Sequence, residues 1–93
     1  MSLTILLKDN LFEPKNFKVP VNKTVTLLLK NEGAVIHNLH ILSKKNEGKD
    51  LQSDPIIAAK TESTMTVKFT KKGKVNFQCD YHVPDMVGTI TVE

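Results

Sequence analysis

Hydrophobic and polar residues alternate along most of this chain, which is the period of a β-strand and not of a helix. The clearest run covers residues 24–30 and places Val25, Leu27 and Leu29 on one face. A second run, 62–70, places Met65, Val67 and Phe69 together in the same way. Further strands are predicted over residues 3–8, 16–19, 36–42, 74–78 and 88–92.

Turn-forming residues separate these runs every eight to twelve positions. Residues 12–14 are predicted to form an irregular crossing, and residues 71–73 a hairpin turn. The sequence does not decide whether residues 43–60 contain a short helix or an edge strand. Seven or eight short strands without a convincing helix predict an all-β fold, an antiparallel sandwich of two sheets or a barrel. A length of 93 residues predicts a single domain over 1–93.

Composition narrows the classes of function. The chain is 40% hydrophobic and 25% charged, and it contains no apolar run of the roughly 18 residues that a membrane span needs. Its net charge of +3 is the balance of thirteen lysines against ten acidic residues, and the chain has no arginine. Arginine is the usual side chain for base and phosphate recognition, and aromatic residues are few, so nucleic-acid binding is disfavoured.

The single cysteine lies in the segment Cys79-Asp80-Tyr81-His82-Val83-Pro84-Asp85-Met86. One cysteine excludes an internal disulfide, a zinc ribbon and a binuclear copper centre. A thiolate, an imidazole and a thioether spaced as C-x2-H-x3-M form a soft ligand set, which selects copper over harder divalent ions. Two histidines, one cysteine and a weak axial methionine make the blue-copper electron-transfer site, so one more histidine is needed.

The alternation of faces along the predicted strands identifies His37 as that histidine. Cys79 shares a face with Val75 and Phe77 and is expected to point into the core. His37 shares a face with Leu39 and Ile41 and is also expected to point inward, whereas His40 falls on the opposite face and is expected at the solvent surface.

Each of these residues alone would most often be ordinary packing, but their conjunction predicts a mononuclear copper site. The predicted ligands are His37, Cys79, His82 and Met86. Met1 and Met65 are assigned no role.

The motifs resemble those of the cupredoxins, the type 1 blue copper proteins, in the plastocyanin, amicyanin and pseudoazurin group. Phe12-Glu13-Pro14 and the segment 19–25 are similar to the family's opening, and His37-Asn38-Leu39-His40 is similar to the H-N-V-H of amicyanin. Residues 77–92 resemble the family's ligand loop and final strand.

The resemblance implies a Greek-key sandwich and the same four ligands. It also implies that Asn38 ties the two ligand segments together and that its backbone amide donates to the Cys79 sulfur. Electrons are then expected to enter and leave through an exposed edge of His82. The residues expected around this edge are Ala34, Val35, Val83 and Pro84.

The function predicted from these observations is that of a soluble, monomeric one-electron carrier. Its expected partners are redox proteins such as a c-type cytochrome or a membrane oxidase, and it is not expected to be an enzyme, because four ligands leave no open position for substrate. The alternatives are copper storage, delivery or sensing, or a domain from a larger membrane-anchored redox protein.

A periplasmic or other extracytoplasmic location is expected, because cytosolic thiols compete for copper. No signal segment is visible, so a missing leader or anchor is expected.

The basic and acidic side chains are expected to lie at opposite ends of the domain. Lysines 68, 71, 72 and 74 are placed far from the copper, and Glu13, Glu32, Asp80 and Asp85 are placed near it.

Overall fold

Two β-sheets enclose the core in the computed structural model, which describes residues 1–93. The first sheet holds β1 (Ser2–Lys8), β2 (Leu11–Glu13), β4 (Thr24–Asn31) and β7 (Glu62–Lys68), in the order β2-β1-β4-β7. The second holds β3 (Asn16–Val19), β5 (His40–Leu42), β6 (Leu51–Gln52), β8 (Gly73–Gln78) and β9 (Val87–Val92), in the order β3-β9-β8-β5-β6. One helical turn, α1 (Lys44–Glu47), lies between β5 and β6.

Alternation along the strands decides what is buried. Val25, Leu27 and Leu29 on β4 are all fully buried, and the intervening residues are only partly covered. Val75 and Phe77 on β8 meet them from the second sheet within one cluster of 18 buried residues. Phe77 packs edge-on against Phe12 with ring centroids 4.8 Å apart. The predicted all-β sandwich of two sheets is confirmed.

Both sheets are mixed, which corrects the purely antiparallel arrangement expected from the sequence. β1 pairs in parallel with β4, and β3 pairs in parallel with β9. The strands number nine, because two short strands add to the seven predicted: β6, and β2, which pairs with β1 where an irregular crossing was expected. The open segment 43–60 contains both of the elements considered for it, a helical turn and a short strand.

The predicted hairpin turn at 71–73 is wrong. β7 and β8 belong to different sheets, so residues 69–72 carry the chain from one sheet to the other. The carboxylate of Glu47 accepts hydrogen bonds from the backbone amides of Thr70 and Lys71, which satisfies donors that a hairpin ladder would have used.

The predicted strand 36–42 is also shorter than expected. Only His40–Leu42 forms a ladder with β8, and His37 makes an isolated bridge to Ile57. The chain contains no helix long and apolar enough to cross a membrane.

Candidate metal centre

The segment from Cys79 to Met86 is a closed loop between β8 and β9. The Cys79 amide donates to the Met86 carbonyl at 3.0 Å, and the His82 amide donates to the Cys79 carbonyl at 3.1 Å. The amides of Asp85 and Met86 both donate to the His82 carbonyl. These bonds bring residues 79, 82 and 86 back toward one another, so the loop presents its three sulfur and imidazole side chains from one short turn.

His37 reaches the same place from the segment between β4 and β5. Its backbone pairs with Ile57 through hydrogen bonds of 3.2 and 2.9 Å, and its side chain is fully buried. The buried Asn31 organises the preceding turn: its amide nitrogen donates to the carbonyls of Val35 and Ile57, and its oxygen accepts from Gly33. Sequence reasoning missed Asn31, since an asparagine at a strand end predicts only a turn.

Three donor atoms converge between these segments. Cys79 Sγ lies 3.6 Å from His37 Nδ1 and 3.5 Å from His82 Nδ1, and the donor atoms of the three residues all lie within 4.8 Å of one another. The imidazole rings of His37 and His82 are 4.7 Å apart between centroids. The inward orientation predicted for Cys79 and His37 is confirmed by their complete burial.

The spacing fits a metal ion. With bonds of about 2.3 Å to sulfur and about 2.0–2.1 Å to imidazole nitrogen, as for zinc, two ligands of a trigonal or tetrahedral site lie roughly 3.6–3.8 Å apart. The sulfur-to-nitrogen distance to His37, 3.6 Å, is at the lower end of that range, and the distance to His82, 3.5 Å, is just below it. A soft thiolate with two imidazoles fits copper, and a nearby thioether strengthens the preference.

Met86 completes the group of predicted site residues. Its side chain is fully buried in the same core cluster as Cys79, and its backbone is bonded to both Cys79 and His82.

Asn38 joins the two segments through its side chain. Its oxygen accepts from the Asp80 amide at 2.8 Å, and its nitrogen donates to Asp80 Oδ2 at 3.1 Å. The expected tie between the ligand segments is therefore present. The expected hydrogen bond from the Asn38 amide to Cys79 is not formed, and the sulfur has only the two imidazole nitrogens as partners.

His40 is on the predicted outer face, but it is less exposed than expected. It lies on the face opposite to Leu39 and Ile41, but only 16% of its side chain is exposed. Nδ1 lies 3.0 Å from Asp80 and Nε2 lies 2.9 Å from Asp50, so one ring joins two carboxylates. The sequence placed the face correctly and could not show that Asp50 and Asp80 would cover it.

Contacts with the carboxylates of Asp50 and Asp80 hold the His40 ring in place. Burial alone would lower the pKa of His40, but the hydrogen bonds with Asp80 and Asp50 outweigh it and raise the pKa above its ordinary value. Burial would likewise raise the pKa of Asp80, and donors from Gln78, His40 and Asn38 together lower it instead. The two carboxylates therefore favour the protonated form of the imidazole, and the imidazole favours their ionised form.

His40→Ala should consequently reduce the free energy of unfolding of the metal-free protein more at acidic than at alkaline pH. The stabilisation from a raised histidine pKa is complete below the unfolded value of about 6.5 and is lost as pH rises through the folded value. Urea unfolding of the parent protein and the variant at about pH 5.5 and about pH 8.5 measures the difference. An equal loss at both pH values would show that the ring acts through packing alone.

Asp9 is the functional contact that sequence reasoning missed. Its Oδ1 lies 3.1 Å from His37 Nε2, and both of its oxygens accept from the Ala34 amide at 3.1 Å. The sequence presented Asp9 only as a strand breaker. The parallel pairing of β1 with β4, which sets the end of β1 beside residues 31–34, is the missing information.

The two histidines near Cys79 differ in exposure. His37 is fully buried, whereas His82 is partly exposed, and exposed apolar residues flank both ligands in the chain. The residues of this apolar face are Ala34, Val35, Ile36, Tyr81, Val83 and Pro84. The Tyr81 hydroxyl donates to the Pro55 carbonyl at 2.6 Å and so fixes the ligand loop against residues 54–57.

Comparison with known proteins agrees with this geometry. The family model described as a cupredoxin-like domain matches residues 1–92. Auracyanin B matches with a TM-score of 0.82 at 16% identity, over 99% of this chain and 88% of that one. Auracyanin A, a "blue" copper protein from Chloroflexus aurantiacus, matches at 0.79 and 18% over all of both chains.

A reduced Cu(I) form of an amicyanin variant matches with a TM-score of 0.71 at 25% identity, covering 99% of this chain and 82% of the other. A sequence comparison with curated proteins finds no match. The neighbours below 25% identity establish the fold.

Proposed function

Since this chain belongs to the cupredoxin-like family, we propose that it binds one copper ion and carries single electrons. The observation that carries the proposal is the convergence of His37, Cys79 and His82, whose donor atoms all lie within 4.8 Å. The proposed ligands are these three residues together with Met86. The copper-containing auracyanin A and amicyanin neighbours support the choice of metal.

A bound copper ion would supply the Cu(I)/Cu(II) couple. The chain's own contribution is to hold one ligand geometry that suits both oxidation states. Cys79 is fixed at the end of β8 within the core, and His37 is fixed by its bridge to Ile57. The partly exposed His82 is then the shortest route from the site to a partner, because the other donors are buried.

We propose that the protein is not an enzyme. A site with two imidazoles, a thiolate and a thioether has no position left for a substrate, unlike catalytic metal sites that keep one ligand place open. Met86 is fully buried, so a substrate could reach the metal only past His82.

Copper delivery is the second candidate, and the partial exposure of His82 favours it. One exposed ligand gives a competing ligand on a partner protein access to the metal. The two functions differ in exchange: an electron carrier shows reversible voltammetry and retains its copper, whereas a delivery protein releases Cu(I) to a competing chelator within minutes. Voltammetry and chelator competition on the same sample distinguish them.

We propose that residues 1–93 form a single cupredoxin domain. We also propose that this domain is located outside the cytoplasm. Copper carriers serve partners where thiol pools do not capture the metal. Fractionation of the source cells tests this, and recovery of the protein in the cytosolic fraction would contradict it.

Partner docking is proposed at the apolar face, with c-type cytochromes or a membrane oxidase as the partner class. Of the four acidic residues expected near the copper, Asp80 is bound within the His40 network and Glu13 is paired with Lys8 at 2.9 Å. Glu32 and Asp85 form no ion pair and carry the steering charge.

Reversing Glu32 and Asp85 to lysine should slow electron transfer to a basic c-type cytochrome by on the order of tenfold at low ionic strength. Charges at the rim of a docking surface act mainly on the association rate, so the salt dependence should flatten as well. Stopped-flow kinetics over a range of salt concentrations measures both.

The matched control reverses Lys71 and Lys72, which lie at the opposite end of β8 from Cys79. This pair should change the rate much less. A larger effect from Lys71 and Lys72 than from Glu32 and Asp85 would place the docking face elsewhere.

A further inference from the structure

We propose that Asp9 is a positioning residue for His37, which selects the ring nitrogen presented to the metal and shifts the copper couple toward Cu(II). The proposal rests on the copper function above, with His37 as a ligand. It assigns a role to an exposed carboxylate that is seventy residues from Cys79 in the chain.

The hydrogen bonds define the tautomer of His37. An ionised carboxylate only accepts, so the Asp9 Oδ1 at 3.1 Å from Nε2 requires the ring proton on Nε2. An imidazole that binds a metal is neutral and carries a single ring proton, which the contact with Asp9 places on Nε2. Nδ1 is then left with a free lone pair, and it is this atom that faces Cys79 Sγ at 3.6 Å.

The carboxylate is itself held in position. The Ala34 amide donates to both oxygens and is the main cause that lowers the pKa of Asp9. Gly33 allows the close approach, because a Cβ at this position would overlap Asp9 Oδ1 and would lie 2.8 Å from His37 Nε2. The Ala34 amide therefore holds the Asp9 carboxylate in place, and Gly33 leaves the space in which that carboxylate contacts the His37 ring.

A negative charge behind an imidazole makes it a stronger electron donor to a metal on the other side. A stronger donor stabilises Cu(II) more than Cu(I). Since 46% of the Asp9 side chain is exposed, solvent screens the charge, and the effect is expected at the lower end of the 10–100-fold range for such supporting residues. His82 has no carboxylate partner, so the two imidazoles are inequivalent.

The test compares Asp9→Asn and Asp9→Ala with the parent protein. Asparagine keeps an acceptor for Nε2–H and removes the charge, whereas alanine removes both. Asp9→Asn should lower the preference for Cu(II) over Cu(I) by about tenfold, a rise in reduction potential of about 59 mV for one electron. Asp9→Ala should in addition broaden the Cu(II) paramagnetic resonance spectrum, because the ring loses its anchor.

The matched control is Asp54→Asn, which makes the same change at an exposed carboxylate bonded to Ser63 and not to a ligand. It should leave the potential unchanged. A rise of equal size in Asp54→Asn would show that the loss of any exposed carboxylate suffices and would overturn the assignment of Asp9.

A measurement without copper separates this inference from the copper function. Nitrogen-15 NMR of the metal-free protein should show His37 as the Nε2–H tautomer, with a slowly exchanging ring proton that Asp9→Ala releases. An Nδ1–H tautomer in the parent protein would overturn the role of Asp9. If the parent is blue but Asp9→Asn leaves the potential unchanged, the inference fails alone. If the parent binds no copper, the proposed function fails with it.

Discussion

Replacing Cys79 with serine should abolish the visible absorption of the Cu(II)-loaded protein. The intense colour of a blue-copper site arises from charge transfer between a thiolate and the metal, and Cys79 is the only cysteine of the chain. Serine is close in shape, but its hydroxyl is neither soft nor ionised near pH 7, so Cu(II) affinity should also fall by at least about 100-fold. Absorption spectroscopy during Cu(II) titration measures both.

His40→Ala is the control for this change. His40 sits three residues after His37, yet both of its ring nitrogens are taken by Asp80 and Asp50, and it has no contact with the Cys79 sulfur. Its removal should leave the main absorption band in place. A band that survives Cys79→Ser, or one that disappears in His40→Ala, would mean that the ligands are misassigned.

Phe77→Ala should lower the free energy of unfolding by about 3–5 kcal/mol, the usual cost of deleting a buried phenylalanine. Phe77 is fully buried, contacts the rings of Phe12 and Phe17, and lies two residues before Cys79. The loss is large against a total of about 5–15 kcal/mol for an ordinary domain. Denaturant unfolding of the metal-free variant measures it.

Phe69→Ala is the matched comparison, since Phe69 is similarly buried but directly follows β7, in the segment that contains lysines 68, 71, 72 and 74. Both variants should lose similar stability. Only Phe77→Ala should broaden the Cu(II) resonance spectrum, because it loosens the strand that holds Cys79. If Phe69→Ala broadens the spectrum as much, the site does not depend on β8 in the way described.

Most of the fold follows from side-chain alternation. Val25, Leu27 and Leu29 were predicted to share a face, and all three are fully buried because a sandwich covers one face of each strand. The same rule oriented Cys79 and His37 correctly, and the resemblance to cupredoxins is confirmed by the family match over residues 1–92. That the four residues bind copper stays a prediction.

What the sequence did not reveal depends on pairing between distant strands. Asp9 contacts His37 because β1 lies parallel to β4, and alternation in either strand carries no information about its neighbour. His40 is covered for a similar reason, since Asp50 and Asp80 approach it from two other segments. The local sequence around residues 69–72 is typical of a hairpin turn. The segment is a crossing because β7 and β8 belong to different sheets.

One absorption spectrum of the protein loaded with a single equivalent of Cu(II) tests the central claim most directly. The convergence of Cys79 Sγ with two imidazole nitrogens at 3.5 and 3.6 Å requires an intense visible charge-transfer band that saturates at one copper per chain. The same sample should bleach on reduction and regain its colour on oxidation. A pale Cu(II) complex with only weak absorption would contradict the account, because it would mean that the thiolate of Cys79 is not bound to the metal.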